Sequence, residues 1–567
     1  MAAFSTVQDA IRDRGTHKAD SPAFVFRHPQ GGRHVQTFGH IYRQGACYAA
    51  VLRAGGAARG QLVVNTLTNS PERVVCEAAI LLTGAASVNA QCMLVDGSDL
   101  LGTVRVSRAA FLLVDPDVTH SPWHVLSKYV TVDDVGNVVT SEQLPRLKRV
   151  YFVRRVAPPE DGEDFLSKME ASSESFEADD VTPDDVCSVF TTSGSSGFSK
   201  LVVHTHRALT SAVLHDNPVM ASLTGEEVEF SMAPLGWLGG YAGNNILTGS
   251  VRVLCDTRHG LPADVIDFML QAFEEEKVDL TFVPAPRLSY LVERVRQKKK
   301  EEGVPASEAD SANPGHCLHI MDRLTLGGQP ITRSLVQTAS LLAPKLLIVY
   351  GTTETLLVSA LTVTHPESYR DFDAGFLAKG AEIRIVEGGG GEGTPLPPNT
   401  SGMIEFKRRH MMKEYLHDPR ATAAAFTPDG FMRTGDIGQL DQHGHVIVEG
   451  RGSDAIMRGP FIFYPGWLEE RIRACPGVTD VMIVGVPDPG ANEEICACVT
   501  LKPGNVTVQE VQDFVEKDIV TSDEEPMSPR PRHYLTFDSF PVTPTGKPHR
   551  KVIKQQATTR LSSSSDD

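Results

Sequence analysis

The chain has 567 residues, more than one hydrophobic core usually supports, so a large body made of subdomains and at least one further domain are expected. The 54 lysines and arginines are outnumbered by 71 aspartates and glutamates, and the formal net charge of -17 argues against a general attraction to nucleic acids or anionic lipids, so an anionic ligand needs a local site. The hydrophobic fraction is 41% and no run of about 18 apolar residues occurs, which predicts no integral membrane segment.

The N-terminus and the cysteines bear on the compartment. The N-terminus lacks the apolar core of a signal peptide, and Asp9 and Asp13 argue against an acid-poor transit peptide. The chain ends in SDD rather than in a peroxisomal address. The nine cysteines form no CxxC pair, and Cys496 and Cys498 share one face of a strand-like run, which favours core packing over metal binding. We therefore expect a cytoplasmic protein.

The predicted elements indicate an α/β fold. Residues 23–114 alternate short apolar runs with helix-like stretches such as 73–82, and the same pattern returns over residues 186–349. Two parallel sheets packed together would account for a body of this length. Residues 382–386 and 402–406 then predict a hairpin with a long glycine-rich and proline-rich turn, which belongs to a β-subdomain.

A change in composition near residue 450 predicts the start of a small α+β C-terminal domain. Residues 464–484 and 506–520 suggest two helices around a short sheet. The predicted division is a body over residues 1–450, a C-terminal domain over 451–555 and a disordered tail over 556–567, which contains four serines and two aspartates.

The strongest chemical signal is the loop TTSGSSGFSK at residues 191–200, which follows an apolar strand-like run. Glycines and small hydroxyl residues allow backbone N–H groups to approach phosphate oxygens, and Lys200 adds a cation. The loop is not a Walker A motif, which requires glycine at Ser199 and a hydroxyl residue after the lysine. Taken alone, the loop is equally well explained as a flexible linker.

The loop, followed by His204-Thr205-His206, closely resembles the signature of the adenylate-forming superfamily, which includes acyl-CoA synthetases, peptide-synthetase adenylation domains and luciferases. Further matches follow in the expected order, at residues 327–330 (GGQP), 350–354 (YGTTE), 434–436 (TGD), 450–451 (GR) and 541–550 (PVTPTGKPHR). The resemblance is closest to acyl-CoA synthetases. It implies binding of ATP and AMP by residues of all these motifs: Thr192, Ser193, Gly194, Ser195, Ser196, Gly197, Lys200, Gly328, Gln329, Pro330, Tyr350, Gly351, Thr352, Thr353, Glu354, Asp436, Arg451 and Lys547.

Each match also has a chemical rationale of its own. Glu354 follows a Gly-Thr turn and can hold a Mg²⁺ ion that bridges phosphate oxygens, while Thr353 can donate to the α-phosphate. Asp436 can accept hydrogen bonds from both ribose hydroxyls, and Arg451 can strengthen that contact. Taken alone, Asp436 is better explained as a turn residue and Glu354 as a carboxylate at a helix N-terminus.

Lys547 follows a glycine and can bring a long cation into the site, where a carboxylate must attack a negatively charged α-phosphate. The catalytic residues expected from the resemblance are Lys547, Glu354, Thr192 and Lys200. The resemblance implies a cycle in which an acid and ATP give acyl-AMP and pyrophosphate, after which the C-terminal domain rotates and the thiol of coenzyme A attacks. Lys547 would serve only the first step.

The acid is less well defined by the sequence. The resemblance implies an acyl pocket that contains Trp237, Gly240, Gly328 and Gly351, and Trp237 replaces the histidine that is usual in the family. Glycines leave room and Trp237 narrows it, so we expect a medium-chain fatty or aryl acid as the small-molecule partner. The sequence leaves the oligomeric state open.

Two departures concern the second step. Met457 stands where the family commonly has lysine, and Pro460 stands where it has glycine in the segment that lines the path of the thiol. An enzyme that passes the acyl group to another acceptor, such as a carrier protein, is therefore the alternative. A non-catalytic binder of nucleotides or acyl groups is a third hypothesis.

Overall fold

The computed structural model describes residues 4–90, 98–118, 121–133, 137–153, 180–192, 200–216, 224–258, 260–301, 318–387, 394–458, 461–463, 465–488, 492–502, 504, 506–518, 530–543 and 547–563. Within these ranges, none of the helices is long and apolar enough to cross a membrane.

The helices are distributed along the whole chain. The α-helices cover Val7–His17, Phe38–Ala54, Pro71–Leu82, Ser98–Ser107, Pro122–Leu126, His206–Ser211, Ala242–Thr248, Val265–Glu276, Ala285–Glu301, Arg333–Ser340, Pro419–Ala425, Pro465–Arg473, Val508–Asp518 and Arg550–Ser563. Short 3-10 turns cover Leu238–Gly240, Pro366–Ser368 and Gly452–Asp454, and a π-helical turn covers Ala212–Asp216.

The strands alternate with these helices in the body. Those of the first part are β1 Pro22–Arg27, β2 Arg33–Thr37, β3 Leu62–Asn65, β4 Ala86–Asn89, β5 Phe111–Val114, β6 Thr131–Val132, β7 Val138–Thr140, β8 Arg149–Phe152, β9 Val186–Thr191, β10 Leu201–Thr205, β11 Val228–Ser231, β12 Val251–Cys255, β13 Leu280–Phe282 and β14 Arg323–Gly327. The others are β15 Lys345–Thr352, β16 Leu356–Val363, β17 Phe376–Leu377, β18 Ala381–Val386, β19 Gly402–Arg408, β20 Glu414–Tyr415, β21 Met432–Leu440, β22 Val446–Arg451, β23 Ile456–Arg458, β24 Phe461–Phe463, β25 Val478–Asp488, β26 Asn492–Leu501 and β27 His533–Thr536.

Two large sheets form the body, as the sequence predicted. Among the described residues, one sheet has nine strands in the order β17-β16-β15-β14-β13-β11-β12-β1-β2, and the other has seven in the order β20-β10-β9-β4-β3-β5-β8. The central strands of both sheets pair in parallel. The antiparallel pairs lie toward the edges: β1 with β2, β15 with β16, β16 with β17, β9 with β10 and β10 with β20. The expectation of purely parallel sheets is therefore correct only for their centres.

The two sheets share an apolar layer. Phe24 and Phe26 of the nine-stranded sheet and Val63 of the seven-stranded sheet belong to one buried cluster, together with residues of the helices Phe38–Ala54 and Pro71–Leu82. Because side chains alternate along a strand, neighbouring strand residues face separate outer clusters. The helices between the sheets thus hold the two subdomains together. Each Å² of apolar surface that they bury stabilises the fold by about 25 cal/mol.

The β-subdomain and the C-terminal domain follow. The predicted hairpin corresponds to β18 and β19, which pair within a four-stranded antiparallel sheet of order β18-β19-β21-β22. In the described residues of the C-terminal domain, β24, β23, β26, β25 and β27 form one sheet. The first helix of this domain ends at Arg473, and residues 478–484 of the predicted helical stretch belong to β25 instead. A turn lies between them, in which Gly477 has a φ of 94°.

The predicted disordered tail is wrong for residues 556–563, which continue the helix Arg550–Ser563. Ile553 and Ala557 are fully buried and pack with Cys496 and Cys498, so an apolar contact orders a segment whose composition suggested disorder. Cys496 and Cys498 are core residues, as expected. Residues 564–567 lie outside the described ranges, and the boundary at residue 450 stays a prediction.

Candidate functional site

The predicted phosphate loop is closed at its base by two hydrogen bonds. Thr192 directly follows β9 and Lys200 directly precedes β10. The Thr192 amide donates to the Lys200 carbonyl at 3.0 Å, and the Lys200 amide donates to Thr192 Oγ1 at 3.3 Å. The antiparallel pair β9 and β10 therefore fixes both ends of the loop. Between these ends, the predicted phosphate ligands lie outside the described residues: Ser193, Gly194, Ser195, Ser196 and Gly197.

Glu354 lies in the tight turn between β15 and β16. The Thr352 amide donates to Thr355 Oγ1 at 3.1 Å, and the Thr355 amide donates to Thr352 Oγ1 at 3.1 Å. This reciprocal pair explains why two threonines flank Thr353 and Glu354. Because a strand rather than a helix follows, the explanation of Glu354 as a carboxylate at a helix N-terminus is wrong.

Replacement of Gly351 by alanine should destabilise this turn. A Cβ atom at Gly351 would lie 2.1 Å from the Leu356 carbonyl oxygen, so the backbone must shift, at a cost of about 1–3 kcal/mol. Gly239→Ala is the matched control, because a Cβ there meets no atom within 4 Å. Thermal unfolding should show a lower midpoint for Gly351→Ala than for Gly239→Ala, and equal midpoints would contradict the close approach.

The side chain of Tyr415 joins two of the predicted site residues. Its hydroxyl donates to Glu354 Oε1 at 2.8 Å, and the Lys200 ammonium lies 4.4 Å from the centre of its ring. The Met412 amide also donates to the Glu354 carbonyl at 2.8 Å. Tyr415 is absent from the predicted site, because only the pairing of β20 with β10 brings it to this position.

The side chain of His204 in β10 also contacts the turn that carries Glu354. Its Nε2 lies 2.7 Å from the Thr353 carbonyl oxygen, so Nε2 carries the proton and donates. Burial lowers the pKa of His204 to about 4, which keeps the ring neutral near pH 7. The backbone of the turn that carries Glu354 is thus contacted by the His204 side chain and by the Met412 amide.

Asp436 occupies a polar pocket formed by Tyr350 and Arg451. The Tyr350 hydroxyl donates to Asp436 Oδ2 at 2.6 Å, and Arg451 Nε lies 3.0 Å from Oδ1. Asp436 and Arg451 face one another in the register of β21 and β22. Burial raises the pKa of the Asp436 carboxyl, while the Arg451 charge and the Tyr350 hydroxyl oppose the rise. The pair presents a fixed acceptor beside an exposed cation.

Lys547 brings the C-terminal domain into contact with the body. Its ammonium donates to the carbonyl of Gly328, which has a φ of 73° and lies just after β14. Burial and the positive charge of Arg451 lower the pKa of Lys547. Gln329 and Pro330 continue the same segment. Lys547 is therefore directed at the part of the body that carries Tyr350, Asp436 and Arg451.

The Lys547 segment is fixed within its own domain by Arg550. Arg550 Nη1 lies 2.7 Å from Glu469 Oε1, and Arg550 Nε lies 3.2 Å from Asp454 Oδ2. Asp454 belongs to the 3-10 turn that follows Arg451. The position of Lys547 is thereby tied to the connection between the body and the C-terminal domain.

The predicted acyl-pocket residues lie on three separate segments of the chain. Trp237 is half-buried, and its carbonyl accepts from the Gly240 amide at 3.0 Å. The Gly240 carbonyl in turn accepts from the buried Arg252 at 2.6 Å. Gly328 directly follows β14, and Gly351 lies within the neighbouring strand β15. A shared pocket formed by all four residues stays a prediction.

Comparison with known proteins gives the family. The AMP-binding enzyme model matches residues 11–416, and the AMP-binding enzyme C-terminal domain model matches residues 468–547. The chain is similar to a 4-coumarate–CoA ligase-like protein of Oryza sativa subsp. japonica, at 27% identity over 79% of each chain. It is also similar to the medium-chain fatty-acid–CoA ligase of Escherichia coli (strain K12), at 25% identity over 74% of this chain and 69% of that protein.

Solved structures share the fold over almost the whole length. ATP-bound MatB from Rhodopseudomonas palustris has a TM-score of 0.75 at 20% identity, covering 98% of this chain and 99% of that one. The anthranilate CoA ligase AuaEII in complex with anthranoyl-AMP has a TM-score of 0.77 at 18% identity, covering 99% of both. Because the first family model spans well over half of the chain, the protein belongs to the AMP-binding enzymes of the adenylate-forming superfamily.

Proposed function

We propose that the protein uses ATP to activate a carboxylic acid as acyl-AMP and then transfers the acyl group to coenzyme A. The observation that carries the proposal is the contact of the Lys547 ammonium with Gly328, beside the Asp436–Arg451 pair. The C-terminal domain thus supplies a cation to the predicted nucleotide site. Several fixed charges of this kind around one point are typical of a site that stabilises a charged transition state.

In the first step a carboxylate oxygen of the acid attacks the α-phosphorus, and the bond from that phosphorus to the bridging oxygen of pyrophosphate breaks. Both reactants are negatively charged, so Lys547 would lower the barrier by contacting both. Asp436 would hold the ribose hydroxyls, since each of its oxygens retains a lone pair beside its present donor. Lys200 and the Thr192 loop would hold the leaving phosphates.

The residues present fit a Mg²⁺ ion. Magnesium prefers oxygen ligands and is usually held by one or two carboxylates together with the phosphates of the nucleotide. Glu354 Oε1 accepts from Tyr415, which leaves Oε2 for a cation. No group of three or more acidic, histidine or cysteine side chains with metal-binding geometry occurs in the described ranges, which agrees with a cation completed by nucleotide oxygens. Bound there, the ion would neutralise phosphate charge.

In the second step the thiolate of coenzyme A attacks the acyl carbon, and the bond to the AMP oxygen breaks. The thiol proton is lost to solvent or to a base, and Lys547 is not required. We infer that the C-terminal domain rotates between the steps, because its contact with Gly328 through Lys547 serves only the first. The Met457 side chain and Pro460 lie outside what the structure describes, so the acceptor rests on the relatives, whose names are those of CoA ligases.

The proposed acid is a medium-chain fatty or aryl acid. The two relatives are named for 4-coumarate and for medium-chain fatty acids, which fall into these classes. Gly239 is exposed, and a Cβ at this position would meet no atom within 4 Å, so the surface beside it is open. Trp237, two residues earlier, supplies an aromatic wall against which an apolar chain or ring can pack.

The test is acid-dependent release of pyrophosphate from ATP and Mg²⁺, measured over a panel of aryl and straight-chain acids with and without coenzyme A. We expect release with acids of these classes, stimulated by coenzyme A, together with the acyl-CoA product. Release that coenzyme A does not stimulate would point to another acceptor, such as a carrier protein. Nucleotide binding without release for any acid would support a non-catalytic binder.

A further inference from the structure

A short segment that the sequence motifs do not include connects the phosphate loop with the Glu354 turn. Tyr415 of β20 pairs with Val202 of β10. Strand β10 begins directly after Lys200, the last residue of the phosphate loop. The Leu416 amide donates to the Leu201 carbonyl, and the Lys413 amide donates to the Val203 carbonyl, both at 2.8 Å. The same segment reaches the other side of the site, where the Met412 amide donates to the Glu354 carbonyl at 2.8 Å. One stretch of backbone therefore spans both parts.

The side chain of Tyr415 also contacts both parts of the site, Glu354 and Lys200. The residue is 6% exposed, its hydroxyl is 2.8 Å from Glu354 Oε1, and its ring lies under the Lys200 ammonium. The phenol hydroxyl is the donor in this contact, because a carboxylate oxygen only accepts. A cation over the face of an aromatic ring is attracted by the negative charge of the ring face.

We propose that Tyr415 is a positioning residue that orients the Glu354 carboxylate toward a divalent cation and holds the Lys200 ammonium beside it for the polyphosphate of ATP. The proposal rests on the proposed function. A carboxylate fixed through one oxygen presents the other in a single direction. A carboxylate without that hydrogen bond rotates freely and must lose this rotational freedom each time it binds a cation. The ring sets the distance between Lys200 and Glu354, because both contact the same rigid side chain.

Two substitutions separate the two contacts. Tyr415→Phe removes the hydroxyl and keeps the ring, while Tyr415→Leu removes both. The control Tyr290→Phe makes the same chemical change on an exposed helix position, since Tyr290 is 65% exposed. Thermal unfolding of all three variants reports whether the fold is retained. Tyr415→Phe changes only one hydroxyl, so it can test the role of that hydroxyl alone if Tyr415→Leu unfolds.

The decisive measurement is the affinity for Mn²⁺ in the presence of ATP, followed by the electron paramagnetic resonance signal of free Mn²⁺. Outer-shell partners of metal ligands typically contribute 10–100-fold to affinity, so Tyr415→Phe should weaken Mn²⁺ binding about 10-fold. At saturating Mn²⁺ its affinity for ATP and its rate of pyrophosphate release should return to those of the unmodified protein. Tyr415→Leu should in addition bind ATP more weakly at saturating Mn²⁺.

Unchanged Mn²⁺ affinity in Tyr415→Phe would overturn the role of the hydroxyl, and equal ATP affinities for Tyr415→Phe and Tyr415→Leu would overturn the role of the ring. A loss in Tyr415→Phe that saturating Mn²⁺ does not restore would also overturn the proposal, because it would indicate a structural role. The binding readout needs no acid. A failure to release pyrophosphate would therefore count against the proposed function alone, while the Mn²⁺ titration would still decide the role of Tyr415.

Discussion

Replacement of Lys547 by alanine should reduce acyl-AMP formation by about 100-fold or more, while transfer of the acyl group from pre-made acyl-AMP to coenzyme A should remain within a few-fold of normal. The reason is electrostatic. The ammonium is the cation that the C-terminal domain brings to Gly328, and without it two negative groups must approach each other without compensation. Single-turnover measurements of the two half-reactions would separate the effects.

Lys547→Arg and the dependence on pH provide the control. Burial and the charge of Arg451 lower the pKa of Lys547, so the ammonium loses its proton before the pH reaches the ordinary lysine pKa of about 10.4. As the pH rises, the adenylation rate should therefore begin to fall below that value. A guanidinium stays charged throughout this range, so Lys547→Arg should retain whatever activity it has at alkaline pH. An equal loss of both half-reactions in Lys547→Ala would contradict the assigned role, as would an alkaline limb that Lys547→Arg leaves in place.

The fold could be predicted from the sequence where a local pattern decides it. The helix Pro71–Leu82 begins after Ser70, whose side chain accepts from the Arg73 amide, and carries a proline in its first turn. These signals are readable without a structure. The helix Arg550–Ser563 was missed because its order comes from Ile553 and Ala557, whose partners in β25 and β26 lie far away in the chain.

The candidate site shows the same division. Tyr350, Glu354, Asp436 and Lys547 lie in short motifs with their own chemistry, so each could be singled out. Arg451 lies in such a motif too, and the register of β21 and β22 brings it to Asp436. The contact of Glu354 with Tyr415 could not be predicted in the same way, because it depends on the pairing of β20 with β10. Long-range strand pairing sets such contacts, and the local sequence does not encode it.

The chemistry of Glu354 depends on its charge as well as on its position. The reciprocal hydrogen bonds of Thr352 and Thr355 hold the backbone of the turn, and neither involves the Glu354 side chain. A change of side chain at this position therefore leaves the turn in place. Glutamine keeps the shape and an oxygen that can accept from Tyr415, but it lacks the negative charge that a hard divalent cation requires.

Glu354→Gln should therefore lower the rate of pyrophosphate release by about 100-fold at a fixed low concentration of Mg²⁺, and a higher concentration should restore part of the rate. The effects of Glu354→Gln and Tyr415→Phe on Mn²⁺ affinity should not add, because Tyr415 can orient the Glu354 carboxylate only while that carboxylate is present. In the Glu354→Gln protein, Tyr415→Phe should have little further effect on Mn²⁺ affinity. Glu367→Gln is the control for the loss of one charge, since Glu367 is exposed and pairs only with the exposed His365 among the ion pairs of the described residues. A metal dependence in Glu354→Gln that matches the one in Glu367→Gln would remove Glu354 from the cation site.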